Sequence, residues 1–174
     1  SGTVSISPGD VVAVRELSHI PVRTSEIRSL EHAAALAWPG TEQQWHRGWL
    51  LRAGSGHTSR ANSAVPLDFS SSIADLKGIA SWYGERGLDP WLALPDRLLA
   101  VKTDGVKRSR VMVRELDQVG PEVAASLHDG PDAAWLACYQ RAVPAEVLTA
   151  VVDGEVVFAS VGGVAVGRGA ITAA

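Results

Sequence analysis

Several residue types are scarce in this chain of 174 residues, and each scarcity limits what the protein can be. Cys138 is the single cysteine, so no intrachain disulfide can form and a thiolate zinc site would lack its other sulfur ligands. No apolar run reaches the roughly 18 residues that suggest a membrane-spanning helix, and no signal-peptide pattern opens the chain. We therefore expect a cytoplasmic protein without a membrane partner.

Charge of either sign is also sparse. Charged residues make up 20% of the chain, the net charge is −3 and the isoelectric point is about 5.9. The densest basic stretch, residues 102–114, is modest, and a solvated loop and strand face explains it better than a nucleic-acid surface does. We therefore expect no nucleic-acid partner. The apolar fraction of 46% is typical of a globular protein that is long enough to bury a core.

Sequence signatures of several enzyme classes are missing. The five histidines are scattered, with no pair at the spacing of metal ligands, so no metal cofactor is predicted. The chain has no Gly-x-Ser-x-Gly nucleophile elbow, no Walker P-loop and no dinucleotide-binding fingerprint. Hydrolase, nucleotide-dependent and metal-dependent mechanisms therefore have no support from motifs.

The most informative segment contains two apolar β-type runs, residues 48–53 and 60–67, which are joined by a Gly/Ser/His/Thr turn. This pattern predicts a hairpin. Its polar side chains are Arg52, Arg60, Asn62 and Ser63. Strand alternation would place Arg60 and Asn62 on one face and Ser63 on the other. Polar groups in a mostly apolar hairpin must be satisfied by one another, by backbone groups or by a ligand.

Helices and strands are predicted along the whole chain. Helices are expected at residues 25–38, 72–86, 131–141 and 144–152. Further strands are expected at residues 3–6, 11–17, 91–94, 109–116, 123–127, 155–161 and 163–167, the last extending into 170–174. Ser72 and Asp75 approximate a capping box, and Pro144 suits the first position of a helix. These elements predict an α+β fold of the α/β three-layer type, with a mixed, mostly antiparallel sheet flanked by helices.

The order of several motifs resembles one known family. The motifs are Gly48-Trp49-Leu50-Leu51-Arg52, Arg60-Ala61-Asn62-Ser63, Pro66-Leu67, Ser81-Trp82-Tyr83, Trp91-Leu92-Ala93-Leu94-Pro95, Pro144-Ala145-Glu146-Val147-Leu148 and Gly154-Glu155-Val156-Val157-Phe158. Over roughly residues 24 to 172 they resemble the amino-terminal half of GNAT-superfamily N-acetyltransferases of the tandem type. The resemblance implies a GNAT-like fold and the transfer of an acetyl group from acetyl-CoA to an amine.

The resemblance also implies a domain organisation. Residues 1–20 look like the tail of a small β-rich domain, with two strands from a small β-barrel, followed by a linker. Residues 21–174 look like a GNAT-like half that extends into the start of a second, truncated half. The acetyl-CoA-binding half would then be missing. Because residues 155–174 contain only two charges, their strands would expose a sticky edge, and we expect the missing half or a second chain to pair with it.

One short glycine pattern is misleading. Gly167-Arg168-Gly169-Ala170 is similar to the pyrophosphate-binding turn of the family, but Val164 stands where that turn has Gln or Arg. The turn also needs a helix N-terminus after it, which the four remaining residues cannot form. We expect a β-hairpin turn at this position instead.

Candidate site residues lie on the acceptor side. In chemistry of the GNAT type the amine attacks the thioester directly, with a base for the ammonium proton and an acid for the thiolate; neither catalytic residue is assigned. Glu146 is explained by the helix dipole. Glu155 opens a strand, which is a usual place for such a base, but an ordinary edge charge explains it equally well. The substrate-binding candidates are Arg52, Arg60, Asn62, Trp49 and Tyr83. Arginine suits bidentate capture of a carboxylate. The alternative is that the polar members tie the hairpin to neighbouring helices and the aromatic members pack in the core.

The predicted function is that of an N-acetyltransferase which moves an acetyl group from acetyl-CoA to a small-molecule amine or a peptide N-terminus. This fragment would supply the substrate-side half and would be inactive alone, since acetyl-CoA would bind mainly outside it. The alternative is a non-catalytic GNAT-like module that binds a small molecule or a partner and pairs its final strands with another chain.

Overall fold

A computed structural model of the chain describes residues 22–114 and 124–173. The predicted strands at residues 3–6 and 11–17 lie outside the described residues, and so does the proposed β-barrel tail with most of its linker. No helix in the described part of the chain is long and apolar enough to cross a lipid bilayer.

The first part of the structure is a four-stranded mixed sheet with a helix on each face. Its elements are helix α1 (Thr24–Ala37), strands β1 (Glu42–His46), β2 (Trp49–Ala53) and β3 (Ser63–Pro66), helix α2 (Leu76–Gly84) and strand β4 (Trp91–Leu92). Short 3-10 helices, Arg60–Asn62 and Ile73–Asp75, precede β3 and α2. The strand order is β1-β2-β3-β4, and only the β3–β4 pair is parallel.

Strand β2 explains the layering, because all five of its residues are buried. Alternate side chains point to opposite faces of a strand. Trp49 and Leu51 pack with Tyr83 of α2 on one face, whereas Leu50 packs with Ala35 of α1 on the other. Helices α1 and α2 therefore cover opposite faces of this sheet.

The second part is a three-stranded antiparallel sheet with helices against one face. Its elements are strand β5 (Ser126–His128), helices α3 (Ala133–Tyr139) and α4 (Ala145–Thr149), and strands β6 (Gly154–Val161) and β7 (Ala165–Thr172), in the strand order β5-β6-β7. Trp135, Leu148 and Phe158 form its buried core. On the opposite face Leu127 and Ile171 are exposed.

Helix α1 connects the two parts. Besides packing on the first sheet, it accepts two hydrogen bonds from the second part: from Val152 N to Leu36 O at 3.0 Å and from Thr172 Oγ1 to Ala33 O at 3.3 Å. Just beyond α1, the Arg168 guanidinium of β7 lies 4.3 Å from the centre of the Trp38 ring. The α+β class is confirmed, but the chain forms two sheets where the sequence predicted one.

Two predictions about strands are wrong, and one strand was not predicted. Residues 109–114 form no strand, since their apolar side chains, such as Met112, are exposed and have no partner strand in the described part. The predicted hairpin turn at Gly167 lies inside β7, and the chain reverses at Gly162 and Gly163, whose positive φ angles suit a tight turn. Strand β1 was missed, because its sequence EQQWH has one large apolar residue and no β-branched residue.

Candidate functional site

The polar residues singled out from the sequence meet where β2 and β3 separate. The two strands pair only at Trp49–Pro66 and Leu50–Val65, so the backbone of Arg52 has no partner on β3. The Tyr83 hydroxyl takes that place: it accepts from Arg52 N at 3.3 Å and donates to Arg52 O at 3.0 Å. Burial raises the pKa of Tyr83 to about 12, so the hydroxyl keeps its proton at neutral pH.

The Arg52 side chain also spans this gap, from β2 to Ser63 of β3. Its Nε donates to Ser63 O at 3.3 Å and its Nη2 donates to Ser63 Oγ at 2.9 Å, and the residue is only 3% exposed. Burial, and then the positive charge of Arg60, lowers the pKa of Arg52 to about 10. The group still carries its charge at neutral pH. It forms no ion pair with a carboxylate in the described ranges.

Asn62 organises the loop between β2 and β3. Its Oδ1 accepts from Gly54 N at 2.9 Å and Gly56 N at 3.0 Å, and its Nδ2 donates to His57 O at 2.7 Å and Thr58 O at 2.8 Å. All four bonds go to the backbone, which uses both lone pairs and both amide protons. The expected strand alternation at this position is wrong, because residues 60–62 form a 3-10 turn.

Of the remaining two candidates, Trp49 lies apart from this gap and Arg60 borders it. Trp49 is fully buried against α2, and its ring N–H donates to Ser72 O at 3.2 Å. Arg60 is exposed, and its carbonyl accepts from Ser63 Oγ at 3.2 Å. The structure thus brings together Arg52, Ser63 and Tyr83, with Asn62 shaping the adjoining loop. A substrate-binding role for the five candidates stays a prediction.

Replacing Tyr83 by phenylalanine should lower the free energy of unfolding by about 1–2 kcal/mol, because the buried N–H and C=O of Arg52 would both lose their partner. Urea denaturation measures the change. Tyr139→Phe is the matched control, since the Tyr139 ring packs beside Trp135 and its hydroxyl has no hydrogen bond in the described part of the chain. Equal effects of the two substitutions would contradict the bridging role of Tyr83.

A groove of about 440 Å³ opens between the two parts of the molecule. One wall is the connection from α1 to β1, residues 39–41, with the first residues of β1; the other is formed by Glu146 of α4 and residues 150–152. Gly40 fixes the first wall, since its φ is +77° and an added Cβ would lie 2.5 Å from Ala53 O. Sequence reasoning did not find this groove, because neither β1 nor the contact between the two parts was predicted.

Charged groups of the groove differ in their surroundings. Glu42 receives two hydrogen bonds from Arg86, which lower the pKa of its carboxyl group. Glu146, in the first turn of α4, is exposed and has no ion pair within the described part. Glu155 lies on β6 outside the groove.

Among the described residues, no group of three or more His, Cys, Asp or Glu side chains could hold a metal ion.

Comparisons with known proteins give one family. The family model described as "Probable histone acetyltransferase Rv0428c C-terminal" matches residues 24–174. The chain is 51% identical over 171 residues to the probable histone acetyltransferase Rv0428c of Mycobacterium tuberculosis (strain ATCC 25618 / H37Rv). That match covers 97% of this chain but 57% of the relative, so the chain spans little more than half the relative's length. No solved structure matches the chain.

Proposed function

We propose that this chain, which belongs to the family of the Rv0428c C-terminal region, is the acceptor-side part of an N-acetyltransferase. The observation that carries the proposal is the family match over residues 24–174. The relationship to a probable histone acetyltransferase suggests acetyltransferase function. The motif order in the sequence resembles GNAT enzymes independently of that relationship. The donor would be acetyl-CoA and the acceptor an amine, either of a small molecule or of a protein such as a histone.

We propose further that acetyl-CoA binds mainly to sequence outside these 174 residues. Support comes from the relative, which is considerably longer than the match. The glycine pattern around Gly167 adds support, since it lies within β7 and pairs with β6. A pyrophosphate-binding turn presents free backbone N–H groups ahead of a helix, which a paired strand does not do. Residues 21–174 would then be one GNAT-like half with the beginning of a second.

Acetyl transfer of this type needs few specialised side chains. The acceptor nitrogen must lose a proton and attack the thioester carbonyl, after which the thiolate of CoA leaves with a proton. Most of the acceleration comes from holding the two reactants together and from backbone donors to the carbonyl oxygen. The contribution of this chain would be to bind and orient the amine. If Arg52 and Arg60 bind a carboxylate of the acceptor, the β2–β3 gap would have to admit it.

A second candidate function is a non-catalytic module that pairs with another chain. Strands β5 and β7 form the two edges of their sheet, and the face between them exposes Leu127 and Ile171. Unprotected strand edges are templates for strand addition. This alternative predicts a specific protein partner and no acetyl transfer by any longer form of the protein.

Native mass spectrometry with acetyl-CoA tests the proposal. The 18.3 kDa chain should take up no acetyl-CoA, whereas intact Rv0428c should bind one molecule and acetylate an amine. Acetyl-CoA bound to the 18.3 kDa chain alone would overturn the placement of the donor site outside it. Intact Rv0428c that binds no acetyl-CoA and acetylates neither a histone nor a small amine would overturn the acetyltransferase assignment and favour the non-catalytic module.

A further inference from the structure

Strand β1 lies at an edge of the first sheet. It is the outermost strand in the order β1-β2-β3-β4, so one of its two sides has no neighbouring strand in the described part of the chain. Natural proteins either protect such an edge or pair it with another chain. Trp45 on this edge is 53% exposed, and tryptophan is enriched at protein interfaces. The edge of β1 is therefore a candidate interaction surface.

The backbone of β1 directs polar groups toward its empty side. Arg52 on β2 turns its N–H and C=O away from β1, since both bond to the Tyr83 hydroxyl. Gln43 lies directly opposite Arg52, and two residues in a pair of this kind turn their polar groups away from each other. Gln43, and Trp45 two residues further on, therefore present their N–H and C=O outward. Within the described ranges, these outward groups have no backbone partner.

The sequence of β1 is complementary to itself. Antiparallel pairing of two copies about Gln44 sets Gln43 opposite Trp45 of the second copy, so that the outward groups of these two residues exchange hydrogen bonds. The same register sets Glu42 opposite His46 of the second copy. An imidazole can donate a hydrogen bond to a carboxylate, and no like charges face each other along the strand.

The groove beside β1 has room for the turn that follows the strand. It opens along residues 39–43 and has a volume of about 440 Å³. In the self-paired register, the turn at Arg47 of the second copy lies opposite residues 40 and 41, where the groove begins. The charged side chains of the groove, Glu42 and Glu146, are both acidic. A basic turn would thus meet an acidic groove, and the two-fold symmetry would repeat this contact.

The Arg47 side chain is available for that contact. It is 76% exposed, and its one ion pair in the described part of the chain is with Asp75, at 3.6 Å. An exposed pair of this kind stabilises the fold by at most about 1 kcal/mol. Strand β7, a free edge of the second sheet, offers no such complementarity, because Arg168 is its one charged residue.

We propose that two copies of this chain associate through their β1 edges. The two-fold axis passes beside Gln44, and the two four-stranded sheets join into one continuous sheet. Gln43 and Trp45 supply the hydrogen bonds between the copies, while Arg47 of each copy enters the acidic groove of the other. The surface is the same on both copies, as a two-fold interface requires. This association does not depend on acetyl transfer.

Sedimentation velocity of the 174-residue chain at increasing concentration tests the association. The mass should rise from 18.3 kDa toward twice that value. Arg47→Glu should raise the dimer Kd about tenfold or more, because it places an acidic turn in an acidic groove. Lys102→Glu is the matched control, since it makes the same charge reversal at an exposed residue outside β1 and the groove. It should change the Kd less than about twofold.

A disulfide across the axis tests the register. In a Cys138→Ser background, Gln44→Cys should form a disulfide-linked dimer under mild oxidation, since residues paired on the axis have Cα atoms about 4.5 Å apart. Gln43→Cys is the control. In the same register the two copies of residue 43 are separated by about 8 Å, which is too far for a disulfide.

Three results would overturn the β1 interface. These are a monomer at every concentration, equal effects of the two charge reversals, or a disulfide at residue 43 and not at residue 44. Circular dichroism of each variant separates weakened association from loss of the fold. Failure of the proposed function is distinguishable, because a chain that takes no part in acetyl transfer would still dimerise through β1.

Discussion

Replacing Asn62 with aspartate is expected to lower the free energy of unfolding by about 3–5 kcal/mol, although the two side chains have nearly the same shape. The substitution replaces two donors with an oxygen that faces the carbonyls of His57 and Thr58, now 2.7 and 2.8 Å from Nδ2. Each buried carbonyl left without a donor costs about 1–3 kcal/mol, and the added negative charge is buried beside them. Urea denaturation of the unsubstituted protein and of Asn62→Asp measures this difference in free energy of unfolding.

Gln44→Glu is the matched control for this substitution. Gln44 uses only its oxygen, which accepts from Trp82 Nε1 at 2.7 Å, so a carboxylate keeps that bond and the change should cost less than about 1 kcal/mol. The pH dependence of Asn62→Asp gives a second check. Burial next to two carbonyls favours the protonated form of the introduced carboxyl group and so raises its pKa in the folded state. The loss in free energy of unfolding caused by Asn62→Asp should therefore become smaller as the pH falls toward about 4. A loss of stability that does not depend on pH would argue against the loss of the two Asn62 amide donors as its cause.

Removing the Trp49 side chain is expected to cost about 3–5 kcal/mol, because a buried aromatic ring leaves a cavity that its neighbours fill only partly. Trp49 is 0% exposed and touches α2, and its ring N–H donates to Ser72 O. Trp45 on the adjacent strand is the control: it is 53% exposed, and Trp45→Ala should cost less than about 1 kcal/mol. Thermal or urea unfolding of both variants measures the two losses of stability. A loss for Trp49→Ala no larger than that for Trp45→Ala would contradict the buried, tightly packed position of Trp49.

The sequence predicted elements well where local signals are strong. Helix α1 was expected at residues 25–38 and spans Thr24–Ala37. The capping box of Ser72 and Asp75 is present, with a 3-10 turn ahead of α2 that the pattern does not specify. Pro144 precedes α4 as its N-cap, one position earlier than expected. Strand β6 matches residues 155–161 to within one residue, because consecutive valines favour extended backbone.

Predictions failed where a long-range contact decides the structure. Alternation applied to Arg60 and Asn62 assumed an extended chain, but the loop is folded back by the bonds of Asn62 to four backbone groups. Nothing in the local pattern reveals that β2 and β3 separate after Leu50, or that Tyr83 supplies the bridge across the gap. The groove depends on the meeting of residues far apart in the sequence, such as Gln43 and Glu146. Local propensity contains no information about that distance.

Helix α1 has a consequence for how the molecule opens. Ala35 belongs to the core of the first sheet, while the carbonyls of Ala33 and Leu36 hold the second part. Lifting this one helix would uncover the face of the first sheet that Ala35 covers and would break both hydrogen bonds that α1 accepts from the second part. Regions linked in this way exchange and unfold as one cooperative unit. Opening of either sheet along α1 is therefore expected to be coupled to the other part of the molecule through this helix.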